Sequence, residues 1–258
     1  MIKFKFKTII LSSLFIFLFS TVVIGQYTGP KQIVVGDVST NNYQVIYPLD
    51  WSENGIFAYM HQDMNVLSSV EIYSHTVIFQ NMETNKILWT KHIVSNLEIY
   101  NHFPSDNTLH NYAFFKLVLW NLHGQDIEDK LKLYNIERGN SNLHKITDLP
   151  KRFSIKENKT TNDNDSKITI GYDIRLFKPY QFKPVYDYDC YKVNASCNLT
   201  ESIGYRHFTV RGYFKSPFEN RIAILVFKET NGFEEPFEYP FFVGTHLEKG
   251  FIDIGCYQ

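Results

Sequence analysis

Charge of neither sign is in excess. Lys and Arg number 26 against 27 Asp and Glu, a formal net charge of −1, so the electrostatic footprint of a nucleic-acid binder is missing. Cysteine is scarce, at 3 of 258 residues. No Cys-x-x-Cys occurs, which removes thioredoxin-type redox chemistry and zinc knuckles. The sequence has no Gly-x-Ser-x-Gly elbow, no His-Glu-x-x-His, no phosphate-binding loop and no Gly-x-Gly-x-x-Gly. No cofactor is therefore expected. No long stretch carries a 3.6-residue period, and past the N-terminus no apolar run is long enough to span a bilayer.

What is present is aromatic. The chain has 17 Tyr and 22 Phe, and is 44% hydrophobic, enough for a real core without a metal or a disulfide framework. Short alternating segments dominate: 44–47, 55–60, 70–79, 86–94, 112–120, 130–134, 167–177, 207–211 and 221–227. Each is β-branched or aromatic and bounded by Asn, Asp, Gly, Pro or Ser, which predicts strands. This spacing predicts an all-β, antiparallel fold, either propeller-like blades or a two-sheet sandwich. The segment from Gln125 to Leu131 reads equally as a helical turn or a loop. The 21 Asn concentrate in the connections, where Asn tolerates positive φ. The polar run 156–167 reads as an exposed loop between an N-terminal half (26–155) and a C-terminal half (167–258). Its Asp163 and Asp165 lack the glycine and glutamate of a calcium loop.

Residues 1–25 have the order of a secretory signal: Lys3, Lys5 and Lys7, then an apolar stretch from Ile9 to Ile24, then Val23 and Gly25 before a cut at Gln26. Losing those three lysines takes the formal net charge from −1 to −4. The expected product is exported, periplasmic or extracellular, with no membrane span left after cleavage. Cys190 and Cys197 are spaced for a small bridged loop in an oxidising compartment; the other pairing ties Cys256 to one of them. Asn158, Asn164, Asn194 and Asn198 head glycosylation triplets.

Two segments echo each other. Trp51-Ser-Glu-Asn-Gly-Ile-Phe-Ala-Tyr59 and Phe214-Lys-Ser-Pro-Phe-Glu-Asn-Arg-Ile-Ala-Ile224 each open a tight turn with Ser and continue into a strand carrying an Ala. Both strands, Ile56 to Met60 and Arg221 to Phe227, are apolar on both faces and are expected to be covered on both sides. Val77-Ile-Phe-Gln-Asn-Met-Glu-Thr-Asn-Lys-Ile-Leu-Trp89 has a second hairpin form, repeated in part by Leu133-Tyr-Asn-Ile-Glu-Arg-Gly-Asn140. This resembles the Ser-Pro-Asp-Gly turns and Asp-x-x-Thr-Gly-Lys hairpins of bacterial periplasmic β-propellers. It also resembles an uncharacterised group of secreted bacterial proteins. The resemblance implies blade-like hairpins, although no regular 40–45-residue period runs through the chain.

Candidate site residues are few. His102, Asp106 and His110 form one local cluster, read first as a polar hairpin tip. Asp187 and Asp189 would share one face of a strand, as an acid pair or as an exposed edge that blocks strand pairing. Glu234, Glu235 and Glu238 punctuate Phe233, Phe237 and Tyr239 in what reads as a surface loop. The leading functional expectation is non-catalytic binding or scaffolding of a protein or glycan partner, with no nucleic acid. The runner-up is a secreted hydrolase with Asp, Glu and His gathered from distant segments.

Overall fold

A computed structural model of the chain describes residues 30–37, 42–67, 70–94, 108–139, 141–161, 169–193, 205–230 and 237–256. Residues 1–25 lie outside them, as do His102, Asp106, Asp163, Asp165, Glu234, Glu235, Asn164, Asn194, Cys197 and Asn198.

The all-β, antiparallel expectation holds. β1 (Ile33–Asp37), β2 (Asn42–Trp51), β3 (Ile56–Leu67), β4 (Val70–Asn81) and β5 (Ile87–Val94) form one sheet in that order. A second assembly contains β6 (Ser154–Thr161), β7 (Thr169–Lys178), β8 (Gln181–Asp189), β9 (Tyr205–Lys215), β10 (Arg221–Thr230), β11 (Phe237–His246) and β12 (Ile252–Asp253). Its order is β11-β10-β9-β7-β8-β12, with β6 on β7. The β7–β9 link is a single residue pair, Thr169 with Tyr205. The two halves of this assembly therefore fold face to face.

Strand β10 lies in the middle. Ala223, Leu225 and Phe227 pack with Trp51, Phe57 and Tyr59 of the first sheet. Ile222, Ile224 and Val226 pack with Tyr172, Ile174 and Leu176 of β7. All six β10 residues are at most 1% exposed, so the strand is covered on both sides as its sequence implied. In β3, Ile56 to Met60 are likewise buried. The outer side of this sheet receives the segment just after the long helix: the Phe79 and Tyr134 ring centroids are 5.3 Å apart.

Three readings are corrected. Segments 112–120 and 130–134 are not strands. The first lies wholly in helix α1 (Thr108–Leu133), and the second runs from its last turn into Tyr134, just past its end. Gln125 to Leu131 is helical too. Trp120, Gly124, Ile127 and Leu131 are buried at spacings of four, three and four, a helical stripe. Residues 156–161 are not loop but strand β6, whose side chains are nearly all exposed. Glu238 and Tyr239 belong to β11, not to a loop. A four-residue helix, α2 (Cys190–Val193), follows β8. By contact density the chain falls into two units, 1–30 with 105–128 and 31–104 with 129–258.

The two echoing turns are built alike. Ser52 N donates to Ile56 O at 2.9 Å, and Ser216 N to Arg221 O at 2.9 Å. Each turn is then stapled by the next hairpin: Met82 N donates to Gly55 O at 2.9 Å, and Leu247 N to Asn220 O at 2.7 Å.

Candidate functional site

The second of these turns and the end of β2 just before the first border one cleft of about 800 Å³. Its floor is Asp50 and Trp51, one wall is the segment 137–144, and the other is the turn Ser216–Asn220. The register of β2 against β3 slips between Pro48 and Asp50. This bulge leaves Asp50 at φ 100°, a conformation that costs a non-glycine residue about 1–3 kcal/mol and persists only where neighbours hold it.

The neighbours are identifiable. Asp50 Oδ1 accepts from Ser141 Oγ at 2.8 Å and from Trp51 N at 3.0 Å; Oδ2 accepts from Ser141 N at 3.3 Å. A β-carbon at Gly139 would overlap the Asp50 carboxylate, so only glycine lets the wall approach the floor this closely. The same wall is stitched at both ends. Ile136 bridges to Ser52 and His144 to Tyr213, and the His144 ring stacks on Tyr213 at 5.2 Å. Lys31 Nζ donates to Asn142 Oδ1 at 2.7 Å.

On the opposite wall, Ser216 Oγ accepts from Phe218 N at 3.3 Å, and the Phe218 ring is left 50% exposed. Glu219 is bound by the Arg221 guanidinium, whose Nη1 also donates to Met82 O at 3.1 Å. Beside them His246 Nδ1 accepts from Glu248 N at 3.0 Å. Burial, together with the nearby Lys249 charge, lowers the His246 pKa. The indole Nε1 of Trp51 is buried with no acceptor among the described residues.

The cleft thus gathers Asp50, Glu137, Glu219 and His144 from distant segments; the carboxylates of Asp50 and Glu219 are engaged within the fold, and Glu137 is exposed. Asp50 holds a loop, Glu219 neutralises an arginine, and His144 is stacked and bridged. Among the described residues no group of three His, Cys, Asp or Glu is arranged to hold a metal.

The residues singled out from sequence lie elsewhere. Asp187 and Asp189 do share one side of β8, where Lys192 Nζ reaches them at 3.3 and 3.6 Å. β12 covers β8 only at Gln181 and Phe182, so no described strand pairs with β8 on that side at the two acids. His110 is on α1 rather than on a hairpin tip. Cys190 is buried at the start of α2. Asn158 lies on β6, its Nδ2 donating to Asp173 Oδ1 at 2.9 Å. Glu238 Oε1 accepts from Arg211 Nη2 at 3.0 Å. Asp50 and the segment 137–144 escaped the sequence reading. The Ser52 and Ser216 turns that lead to them were noticed only for their register.

Neither a family model, a curated protein nor a solved structure matches this chain.

Proposed function

We propose that the protein is exported and acts by binding, without catalysis, a protein or glycan partner in the cleft between the Asp50 bulge and the Ser216–Asn220 turn. The observation that carries this reading is the strained Asp50 backbone, φ 100°, held by a wall loop that is itself fixed to both sheets. Strain of this kind marks sites where geometry is kept for use. A pre-formed concavity with an exposed ring and a few polar groups is how such ligands are gripped. Two of the three carboxylates of the cleft, Asp50 and Glu219, serve the scaffold, which favours recognition over acid–base chemistry.

Export rests on the order of basic, apolar and small residues before Gln26, and the same compartment favours a Cys190–Cys197 bridge. The turns resemble those of periplasmic propeller blades. N-terminal sequencing of the secreted product, expected to begin at Gln26, tests the first point, and unreduced peptide mapping the second.

Printed glycan and peptide arrays test the binding reading. A bound probe whose affinity falls at least about tenfold in Phe218→Ala, with unchanged melting, supports it; the ring carries contact area but little of the fold. Turnover of a chromogenic ester or glycoside that Asp50→Asn abolishes would replace it with the hydrolase.

A further inference from the structure

We propose that the β7–β8 hairpin end of the molecule docks on a lipid bilayer bearing anionic headgroups, independently of the cleft. Tyr180 sits at the tip of this hairpin, 87% exposed and at φ 61°. Glycine or asparagine would occupy that conformation at less cost. The chain instead holds a large aromatic ring outward at the outermost point of the turn.

Apolar surface continues behind the tip. Phe177 and Phe182 pair across the strands on the outer face, their rings stacked at 5.9 Å. With Arg175, Pro184 and the half-exposed Ile254 they line a shallow depression of about 500 Å³. Cations frame it. Lys156 Nζ lies 4.9 Å from the centroid of the Phe177 ring on this face, while on the other face of the hairpin end Lys178 Nζ lies 4.3 Å from that of Phe251. Arg175 lies over Phe182 at 5.8 Å while bound to Asp173 at 2.7 Å. The other acid at this end, Asp253, accepts from Gln181 Nε2 at 2.6 Å.

A chain of net charge −1 thus places cations over half-buried rings behind one exposed tyrosine. Tyr and Phe settle at the headgroup boundary, and lysine stems lie along apolar surface while their heads reach phosphate. No described helix is long and apolar enough to cross a membrane; the attachment proposed is a peripheral one, by this hairpin.

Co-sedimentation of the full chain with two vesicle types tests the proposal. One is phosphatidylcholine alone; the other is phosphatidylcholine mixed with phosphatidylglycerol. Binding is expected to the mixed vesicles only, and it should weaken as salt rises. Lys178→Gln should weaken it roughly fivefold, the worth of one cation near an anionic surface. Tyr180→Gly removes the ring and suits the backbone, so it should melt no lower than the parent yet lose most of the binding. Equal binding to both vesicle types overturns the proposal, as does no binding to either, or indifference to Tyr180→Gly. Capture of soluble dextran sulfate without vesicle binding assigns the face to an acidic polysaccharide and overturns it too.

Discussion

Residues 55–87 and 220–252 are two copies of one frame, related by a constant shift of 165 residues; the serine that opens each turn, Ser52 or Ser216, stands one residue further ahead in the second. Gly55 O and Asn220 O accept from Met82 N and Leu247 N. Ala58 pairs with Phe79, and Ala223 with Gly244. Asn81 Oδ1 accepts from Glu83 N at 2.9 Å, and His246 Nδ1 from Glu248 N at 3.0 Å. Asn85 at φ 58° and Gly250 at φ 78° take the same place in the two following turns, the first leading into β5 against β4 and the second into β12 against β8. Backbone hydrogen bonds and turn geometry fix this register. What differs is the filling. Phe79 occupies the place that Gly244 leaves empty, and the Met82 backbone of the first copy is packed into that vacancy. Where the first copy has Ile56, the second has Arg221, which reaches across to Met82 O. The shared positions build each sheet, and the unshared ones lock the sheets together and open the cleft.

The comparison breaks most severely in the strand between the layers. Ile224 is fully buried and its equivalent is Tyr59. Ile224→Asp buries an unpaired charge and should cost several kcal/mol, abolishing folding. Tyr59→Phe loses only a long hydroxyl contact to Gln80 Oε1, 3.4 Å, and should cost about 1 kcal/mol or less. Urea denaturation of the two variants measures the contrast. An Ile224→Asp protein that melts like the parent would put β10 at the surface and undo the layered architecture.

A sharper version exchanges size at one equivalent position. Phe79→Ala empties a filled site and should cost about 3–5 kcal/mol. Gly244→Ala overfills an empty one, since its β-carbon meets the Met82 carbonyl and Cα, and should cost about 1–3 kcal/mol. If Gly244→Ala is neutral, the Met82 turn is free to withdraw and the lock between the sheets is not where we place it.

Acid should separate the copies. Burial and the Lys249 charge lower the pKa of His246, while the equivalent Asn81 does not titrate. With the folded pKa below the unfolded 6.5, the unfolded chain binds the proton first as pH falls. Stability is therefore whole above about pH 6.5 and declines as pH drops through the lowered value. Protonation also removes the Nδ1 acceptor that caps the turn. His246→Asn should flatten the decline in a melting series, and an unchanged slope would mean that another group carries it.

The strands of both copies were legible because each buries side chains, so alternation reported a face. β6 buries almost nothing; its Lys, Asn and Thr had no core to alternate with, and the segment read as loop. The helix was missed for the opposite reason. Tyr112 to Trp120 is aromatic and β-branched, a composition that imitates a strand, and its period shows only when Trp120, Gly124, Ile127 and Leu131 are taken together. Asp50 was illegible because its role comes from a bulge and a positive φ, neither of which has a residue signature when the residue is not glycine.

The smallest expected effect concerns the residues that looked most like a site. Asp187 and Asp189 flank Lys192, whose ammonium they favour, but Lys192 and Asp187 are exposed, with side chains 70% and 65% accessible. An exposed pair trades its attraction against side-chain entropy and is screened by salt, so it contributes next to nothing. The chain keeps these acids where no described strand pairs with β8 on that side, and a charge there opposes pairing with another strand. Asp187→Asn with Asp189→Asn should leave the melting temperature and any cleft binding unchanged. The one property expected to move is association: the double variant should show more dimer or aggregate in light scattering at high concentration. A drop in binding instead would return the pair to the functional surface.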